Sequence, residues 1–414
     1  MKHLAVFLLP ALLLAPASAA SSQVRVEKDD RDRWRLLVDG QPFLIRGMDY
    51  RVSRIGESPD EGSLTDWMEH DGDGNGRPDG PYDAWVDSNG NGRRDADEPA
   101  EGDFELLRQA GVNTIRWYVN DFKEQQPHKE VLRDLFARYG VRVAVGNKFG
   151  AYTIDSGASW EEGTDYRDPA QQERLLESVR RMVLEHKDEP YTLVWLLGNE
   201  NNLRFTNTNA GQFPDDYANL LNRAAALIRE LDGKHPVALV NGDTRNLPSY
   251  RKHAPAVDIF GVNAYRGPKG FGSLWKEVKA GWGKPVLVTE YGGSYAASPD
   301  EDVQEAYHLG CWRDIEANAA EASAGSGNAL GGFAFEWLDE WWKAGDPRFQ
   351  ADPGSVGKQG KTAASWTQEH CGVMGQGDGS QSPFLRRPRK AYRMYRRIWG
   401  PRTVVEFDGP AAGS

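Results

Sequence analysis

Short apolar runs alternate with longer, helically spaced segments eight times along this chain, and that alternation limits the fold more than any other feature. The runs expected as strands are Phe43–Tyr50, Thr114–Val119, Arg142–Phe149, Thr192–Asn199, Val237–Asn241, Asp258–Tyr265, Pro285–Glu290 and Gly331–Trp337. The helices expected with them are Asp103–Ala110, His128–Tyr139, Gln171–His186, Asp215–Leu231, a short one near Leu247–His253, Ser273–Ala280, Pro299–Ala319 and Arg387–Ile398. Near-continuous apolar strands are what a parallel sheet buried on both faces requires. Eight such units predict an α/β protein built as a single (β/α)8 (TIM) barrel over 21–414. A doubly wound open sheet is the alternative, but it normally carries a Gly-rich phosphate turn after an early strand, and none is present. Gly111 and Gly140 mark helix ends; Asp215 and Ser298-Pro299 mark helix starts; Asp39-Gly40 marks a hairpin. The segments Arg51–Gly102 and Lys343–Arg386 follow strands one and eight, so these long loops belong to the face where barrels of this kind build their sites.

Lys2 and His3, the apolar run Leu4–Leu14 and the small residues Ala17-Ser18-Ala19-Ala20 read as a secretory signal peptide over 1–20, with an uncleaved anchor as the alternative. The expected location is therefore secreted or periplasmic, with no stable membrane insertion. The 50 basic and 61 acidic residues give a net charge of −11, which argues against nucleic acid as a partner. The sequence specifies no oligomeric state. In an oxidising compartment Cys311 and Cys371 are expected to form one disulfide, the alternative being two separate buried thiols.

Asp87-Ser-Asn89-Gly-Asn91-Gly-Arg93-Arg-Asp95-Ala-Asp-Glu98 carries oxygen side chains in the order of an EF-hand loop, with Gly92 at the sharp turn and the Arg93 carbonyl available. Asp71-Gly-Asp73-Gly-Asn75-Gly-Arg77-Pro-Asp79 repeats the front half, and Asp83 or water would complete its shell. Both loops, within about 71–98, are expected to bind structural Ca²⁺; the alternative is a pair of solvated acidic loops. No catalytic cofactor is expected.

Strand four ends Leu-Leu-Gly198-Asn199-Glu200 and strand seven ends Val-Thr289-Glu290-Tyr291, so each delivers a glutamate to the barrel mouth. A carboxylate at the edge of a dry core is expensive unless it has a partner or a task. Two carboxyls converging across the mouth suit glycosidic-bond cleavage, one protonating the leaving oxygen and the other attacking the anomeric carbon. The bland alternative is a glutamate held in an ion pair by Arg116.

With Gly198-Asn199-Glu200, the preceding Asp188-Glu-Pro-Tyr-Thr-Leu-Val-Trp195, Thr289-Glu290-Tyr291-Gly292 and the opening Val38-Asp-Gly-Gln-Pro-Phe-Leu-Ile-Arg46-Gly47 on the page, the chain resembles the clan of retaining glycoside hydrolases with catalytic glutamates on strands four and seven. It is most similar to the barrel domain of glycoside hydrolase family 2, with family 5 a near neighbour. The resemblance implies Glu200 as acid/base and Glu290 as nucleophile. It implies that Asn199 bonds a sugar 2-hydroxyl, that Arg116 and Tyr265 hold Glu290, and that Trp337 is the floor under the sugar. Asn147, Lys148, Asn263 and Trp341 are further cleft candidates. Family 2 enzymes usually carry β-sandwich domains before the barrel, which the sequence ahead of strand one does not offer, so a family 2 substrate does not carry over. The expected activity is a retaining β-glycoside hydrolase acting on a glucan-type or related carbohydrate. A transglycosylase would use the same residues; a non-catalytic, calcium-dependent glycan-binding or adhesion protein is the alternative of a different class.

Overall fold

The computed structural model describes residues 21–119, 126–293, 300–343, 345–350, 368–380 and 384–401. The signal-peptide segment 1–20 and the Ser298-Pro299 helix start lie outside the described residues. Eight parallel strands close into a barrel: β1 (Ile45–Asp49), β2 (Thr114–Tyr118), β3 (Arg142–Asn147), β4 (Thr192–Leu197), β5 (Val237–Gly242), β6 (Ile259–Asn263), β7 (Val286–Tyr291) and β8 (Ala329–Ala334). Helices α1 (Asp103–Gln109), α2 (Gln126–Tyr139), α3 (Pro169–His186), α4 (Pro214–Leu231), α5 (Leu247–His253), α6 (Leu274–Gly281), α7 (Glu301–Asn318) and α8 (Lys390–Ile398) follow the strands in turn. The chain is a single (β/α)8 barrel, as the alternation demands.

Local signals fix the ends. Asp168 caps α3 by accepting from the Ala170 and Gln171 amides at 2.7 and 3.3 Å, with Pro169 in the first turn. Asp300 caps α7. Asp215 lies inside the first turn of α4, not at its cap, which is Phe213. At Asp39-Gly40 both residues take positive φ, 50° and 79°, and the hairpin joins Trp34–Val38 to Gln41–Pro42. Val24–Lys28 pairs antiparallel with the first of these strands. Val24, Leu36 and Val38 from this sheet join Ile45, Ala144, Val194, Leu196, Ala238, Val240, Leu287 and Phe333 in one apolar cluster, so the sheet packs onto the barrel interior away from the mouth. Inside, Phe333 fills the space that Gly47 leaves: a Cβ on Gly47 would lie 2.3 Å from the ring.

The two long excursions are not independent. Leu385–Pro388 is a strand, although its last two residues, Arg387 and Pro388, were expected to begin the last helix; it pairs parallel with Trp85–Val86 and antiparallel with Met374–Gly375. This small sheet ties the segment after β1 to the segment before α8. Arg386 and Asp103, both fully buried, make two bonds of 2.7 and 2.8 Å, and Tyr50 donates to the same carboxylate at 3.1 Å. Arg387 reaches Asp87 at 2.9 Å, and Arg389 grips Asp339 through two bonds of 2.7 and 2.6 Å.

The expected Cys311–Cys371 disulfide is not formed. Cys311 lies on the inner face of α7, where its thiol approaches the Gly267 carbonyl at 3.7 Å. Cys371 lies on the β8 side, its carbonyl taking bonds from the Glu336 amide and the Gln304 side chain. The two thiols are buried in different layers, and burial pushes both pKa values up. Among the described residues no helix is long and apolar enough to cross a membrane.

Breaking a buried ion pair strands its partner, so Asp103→Ala is expected to lower unfolding free energy by about 3–5 kcal/mol. Asp302→Ala, which removes the exposed partner of Lys390, should cost under about 1 kcal/mol. Urea unfolding of both variants measures the contrast.

Candidate active site

Arg116 organises the mouth. It rises from β2, opposite Asp49 on β1, and its side chain is 4% exposed. Nη1 donates to Glu290 Oε1 at 2.7 Å, to the Thr289 carbonyl at 2.9 Å and, more weakly, to Asp49 at 3.3 Å. Nη2 donates to the Tyr118 hydroxyl and to Asn199 Oδ1, each at 2.7 Å. The Tyr265 hydroxyl donates to the other Glu290 oxygen at 2.7 Å. Glu290 therefore accepts one short bond on each oxygen, one of them from a guanidinium.

Glu200 is placed by the turn that ends β4. Gly198 has φ 86°, and a Cβ there would meet Asn201 Oδ1 at 2.5 Å. Asn201 accepts from the Asn199 amide at 2.6 Å and donates to the Phe149 carbonyl and the Tyr166 hydroxyl at 3.0 and 2.6 Å. Glu200 itself sits at φ 57°, a left-handed conformation that costs a non-glycine residue on the order of 1 kcal/mol or more. Its amide donates to the Val240 carbonyl and its carbonyl accepts from the Leu203 amide at 2.7 Å, which hold that conformation. Burial, and then the nearby Glu290 charge, raise the Glu200 pKa to about 8, while a bond from Asn263 opposes them. Burial also drives the Asp49 carboxyl well up, against the pull of Arg116. One carboxyl of the pair thus has its proton retained near neutrality, while the other accepts two strong donors.

Asn263 joins the two halves: it donates to Asn199 Oδ1 at 3.2 Å and accepts from Thr289 Oγ1 at 2.7 Å. With Arg116 and Asn263 both on its oxygen, Asn199 turns its amide nitrogen to the mouth, where the Tyr152 hydroxyl lies against it. Glu200, Glu290, Arg116, Asn199, Asn263 and Tyr265 are accordingly brought together.

Two other expected cleft residues are placed elsewhere. Asn147 points outward, donating to Ser178 on α3 at 2.8 Å and accepting from the Phe149 amide. Trp337 is fully buried between the Tyr50 and Tyr392 rings, in the layer between barrel and helices, and is not a sugar floor. Trp341 is buried at 6% exposure. The aromatic at the mouth is instead Phe335, half-buried and set edge-on to Tyr265 with ring centres 6.4 Å apart. β8 ends at Ala334, three residues earlier than expected, so the side chain that opens on the mouth is two positions before Trp337. Tyr118, Asp49 and Tyr152 were also not expected here. Tyr152 lies against Asn199, and burial, reinforced by Glu200, pushes its pKa up. Lys148 lies over the Tyr118 ring at 4.4 Å. Beyond β8, Glu336 and Glu340 are 2% and 5% exposed, and Lys343 pairs with Glu340 at 3.2 Å. Burial and the Glu340 charge drive Glu336 well up.

The acidic loops differ in how far they converge. Asp71, Asp73 and Asp79 bring ligand oxygens within 4.8 Å of one another. Asp71 accepts from the Asn75 and Gly76 amides, and Asn75 accepts from the Arg77 amide at 2.9 Å, so the loop wraps its own oxygens inward. Asp79 is 2% exposed, and its Oδ2 has no hydrogen-bond donor. His70 approaches it at 3.3 Å, but the same His nitrogen already accepts from Arg54 at 2.9 Å. The buried Asp83 Oδ2 also has no donor, and burial raises that carboxyl. Such a set fits a hard cation with oxygen ligands. In the downstream loop, Asn89 and Asn91 both donate to Asp95 at 2.7 Å, Arg93 donates its amide to Asn91, and Glu98 accepts from Ser88 and the Asp95 amide. Arg387 already neutralises Asp87 there.

Residues 87–308 match the family model described as glycosyl hydrolases family 2, TIM barrel domain. A curated β-glucuronidase from Paenibacillus borealis is 26% identical over 229 residues, covering 50% of this chain and 35% of that protein. Among solved structures, the β-D-glucuronidase of Dictyoglomus thermophilum superposes with a TM-score of 0.53 at 17% identity, over 91% of this chain and 53% of that one. A GH2 β-galacturonidase from Eisenbergiella tayi gives 0.51 at 16% identity, over 91% and 54%. A calcium binding mutant of Bacteroides uniformis β-glucuronidase 2 gives 0.54 at 15% identity, over 92% and 37%. The chain therefore spans about a third of the curated relative and about half or less of these solved chains. At these identities the structures share the fold.

Because the Glu290 charge helps to raise Glu200, Glu290→Gln is expected to bring the Glu200 midpoint down from about 8 toward the ordinary carboxyl range. The protonated-carboxyl band in infrared difference spectra, followed against pH, measures it. A midpoint unchanged by the substitution would sever the two groups.

Proposed function

The chain belongs to glycoside hydrolase family 2, and from that membership we propose that it is a retaining β-glycosidase in which Glu200 is the acid/base and Glu290 the nucleophile. The observation that carries the reading is the asymmetry of the two carboxyls. Glu290 accepts from Arg116 and Tyr265, whereas burial beside a negative neighbour keeps Glu200 protonated. In the first step Glu290 attacks the anomeric carbon while Glu200 passes its proton to the departing oxygen. Esterification then removes the Glu290 charge, the pKa of Glu200 drops, and the same carboxyl can take a proton from the incoming water. Asn199 offers N–H groups to a ring hydroxyl, and Phe335 offers a ring face or edge to the sugar.

For the substrate we favour a neutral β-linked, glucan-type carbohydrate, because Glu336 and Glu340 line the β8 side. The names of the relatives favour a second reading, a β-uronide, whose carboxylate would use Lys343. Hydrolysis is favoured over transfer to a second sugar, and product sizing at high acceptor concentration separates them. We also propose a structural Ca²⁺ held by Asp71, Asp73, Asp79 and Asp83, and secretion or periplasmic residence. The donorless oxygens of Asp79 and Asp83 support the first, and the apolar leader over 1–20 the second.

A glycoside panel in the gluco, galacto, mannosyl and glucuronosyl series tests the substrate. With the responsive glycoside and azide, Glu290→Ala should release the α-glycosyl azide and Glu200→Ala the β-glycosyl azide, identified by NMR. The reverse assignment would exchange the two roles, and the absence of both products would remove the mechanism.

For the cation, added Ca²⁺ should raise the melting temperature of the parent and leave Asp79→Ala unmoved. At 100 times Kd the gain in stability is about 2.7 kcal/mol.

A further inference from the structure

Four aromatic side chains stay largely exposed among the described residues: Trp160 at 58%, Phe205 at 59%, Tyr265 at 47% and Phe349 at 67%. Each lies in a segment that leaves the C-terminal end of a barrel strand: after β3, β4, β6 and β8 respectively. The exposed large aliphatic residues Leu184, Val303 and Ile398 lie on helices. Exposed rings are thus gathered on the catalytic face. Tyr265 is accounted for by Glu290, but Trp160 and Phe205 have no task in the chemistry.

These two rings belong to loops that are fastened to each other. Asn207 donates its side chain to the Trp160 carbonyl at 2.5 Å, the Thr164 amide donates to the Asn207 carbonyl at 2.9 Å, and the Asn209 amide donates to the Thr164 carbonyl at 3.0 Å. At their inner ends the same loops reach the reacting groups. The β3 loop begins with Tyr152, against Asn199 and near Glu200. The β4 loop hangs from Glu200 itself, whose carbonyl accepts from the Leu203 amide at 2.7 Å and from Thr206 Oγ1 at 3.3 Å, on either side of Phe205. The short helix Arg204–Thr206 holds Phe205 with no slack.

A general acid must lie within hydrogen-bond reach of the oxygen it protonates, so it stands on the leaving-group side of the scissile bond. The surface that continues outward from Glu200 is then where the departing part of the substrate lies. Flat apolar faces beside polar side chains such as Arg204 suit a sugar ring, which has an apolar C–H face and a rim of hydroxyls. We infer that Trp160 and Phe205 form an aromatic platform for the saccharide on the leaving-group side of Glu200. The substrate is accordingly a β-linked chain with sugar units beyond the scissile bond, not a glycoside with a small aglycone. This inference rests on the assignment of Glu200 as the acid.

The test compares two substrates that differ only beyond the scissile bond: the β-glycosyl fluoride, whose leaving group is a single atom, and the β-linked trisaccharide, each in the glucose, galactose and glucuronic acid series. Trp160→Ala and Phe205→Ala should each lower kcat/KM on the trisaccharide about 3- to 10-fold, mainly through KM, and leave the fluoride within about twofold. Trp160→Tyr should restore most of the loss. Melting temperatures equal to that of the parent would show that both variants fold. Equal losses on fluoride and trisaccharide, or no loss on either, would overturn the platform while leaving the glycosidase reading intact. A parent that cleaves neither substrate through Glu290 would overturn the assignment of Glu200, and the platform with it.

Discussion

One buried guanidinium sits among the acids at the barrel mouth, and its bonds set the state of the others. Arg116 touches Asp49, Tyr118, Asn199, Thr289 and Glu290, contributions from strands β1, β2 and β7 and the turn after β4. An unpaired charge there would be prohibitive, and three uncompensated carboxylates would be worse. With one cation shared, burial pushes the Glu200 pKa up to about 8 and drives the Asp49 carboxyl upward as well. The barrel matters to this because it closes: only a closed ring brings the ends of β2 and β7 across from one another, within the length of an arginine side chain.

The chemistry inherits its division of labour from that arrangement. Two glutamates on equivalent strand ends are made unlike by what surrounds them, one by donors and one by desolvation beside a neighbour. Their difference is also self-cancelling during the reaction, since consuming the charge on one removes a cause of proton retention on the other. The left-handed backbone of Glu200 belongs to the same design, for it is the tight turn after β4 that lifts this side chain off the strand and into the mouth.

Much of this was legible because strand ends carry their chemistry in one-dimensional form. Acidic residues terminating apolar runs gave Glu200 and Glu290, the resemblance to family 2 added Arg116, Asn199 and Tyr265, and all of these, with Asn263, do converge. What failed was parity and length. Reading β8 as running to Trp337 put the wrong aromatic at the mouth, because the strand stops at Ala334 and Phe335 is the residue that opens on Tyr265. Asn147 ends its strand facing α3, a choice of side that an apolar run on both faces does not encode. In the small sheet over Trp85–Val86, Met374–Gly375 and Leu385–Pro388, the pairing of Leu385 with Trp85 joins residues 300 positions apart, for which no local pattern exists.

That small sheet also joins segments far apart in the chain. The Asp103 carboxylate and the Asp87 loop find their partners in Arg386 and Arg387, 283 and 300 positions further along, and the edge of Trp85–Val86 finds its partner in Leu385. Without those partners the first excursion would hold a stranded anion and an open strand edge, while the barrel itself is closed by the direct pairing of β8 with β1. A substitution at Arg386 therefore strands a buried carboxylate on α1, 283 positions earlier in the chain.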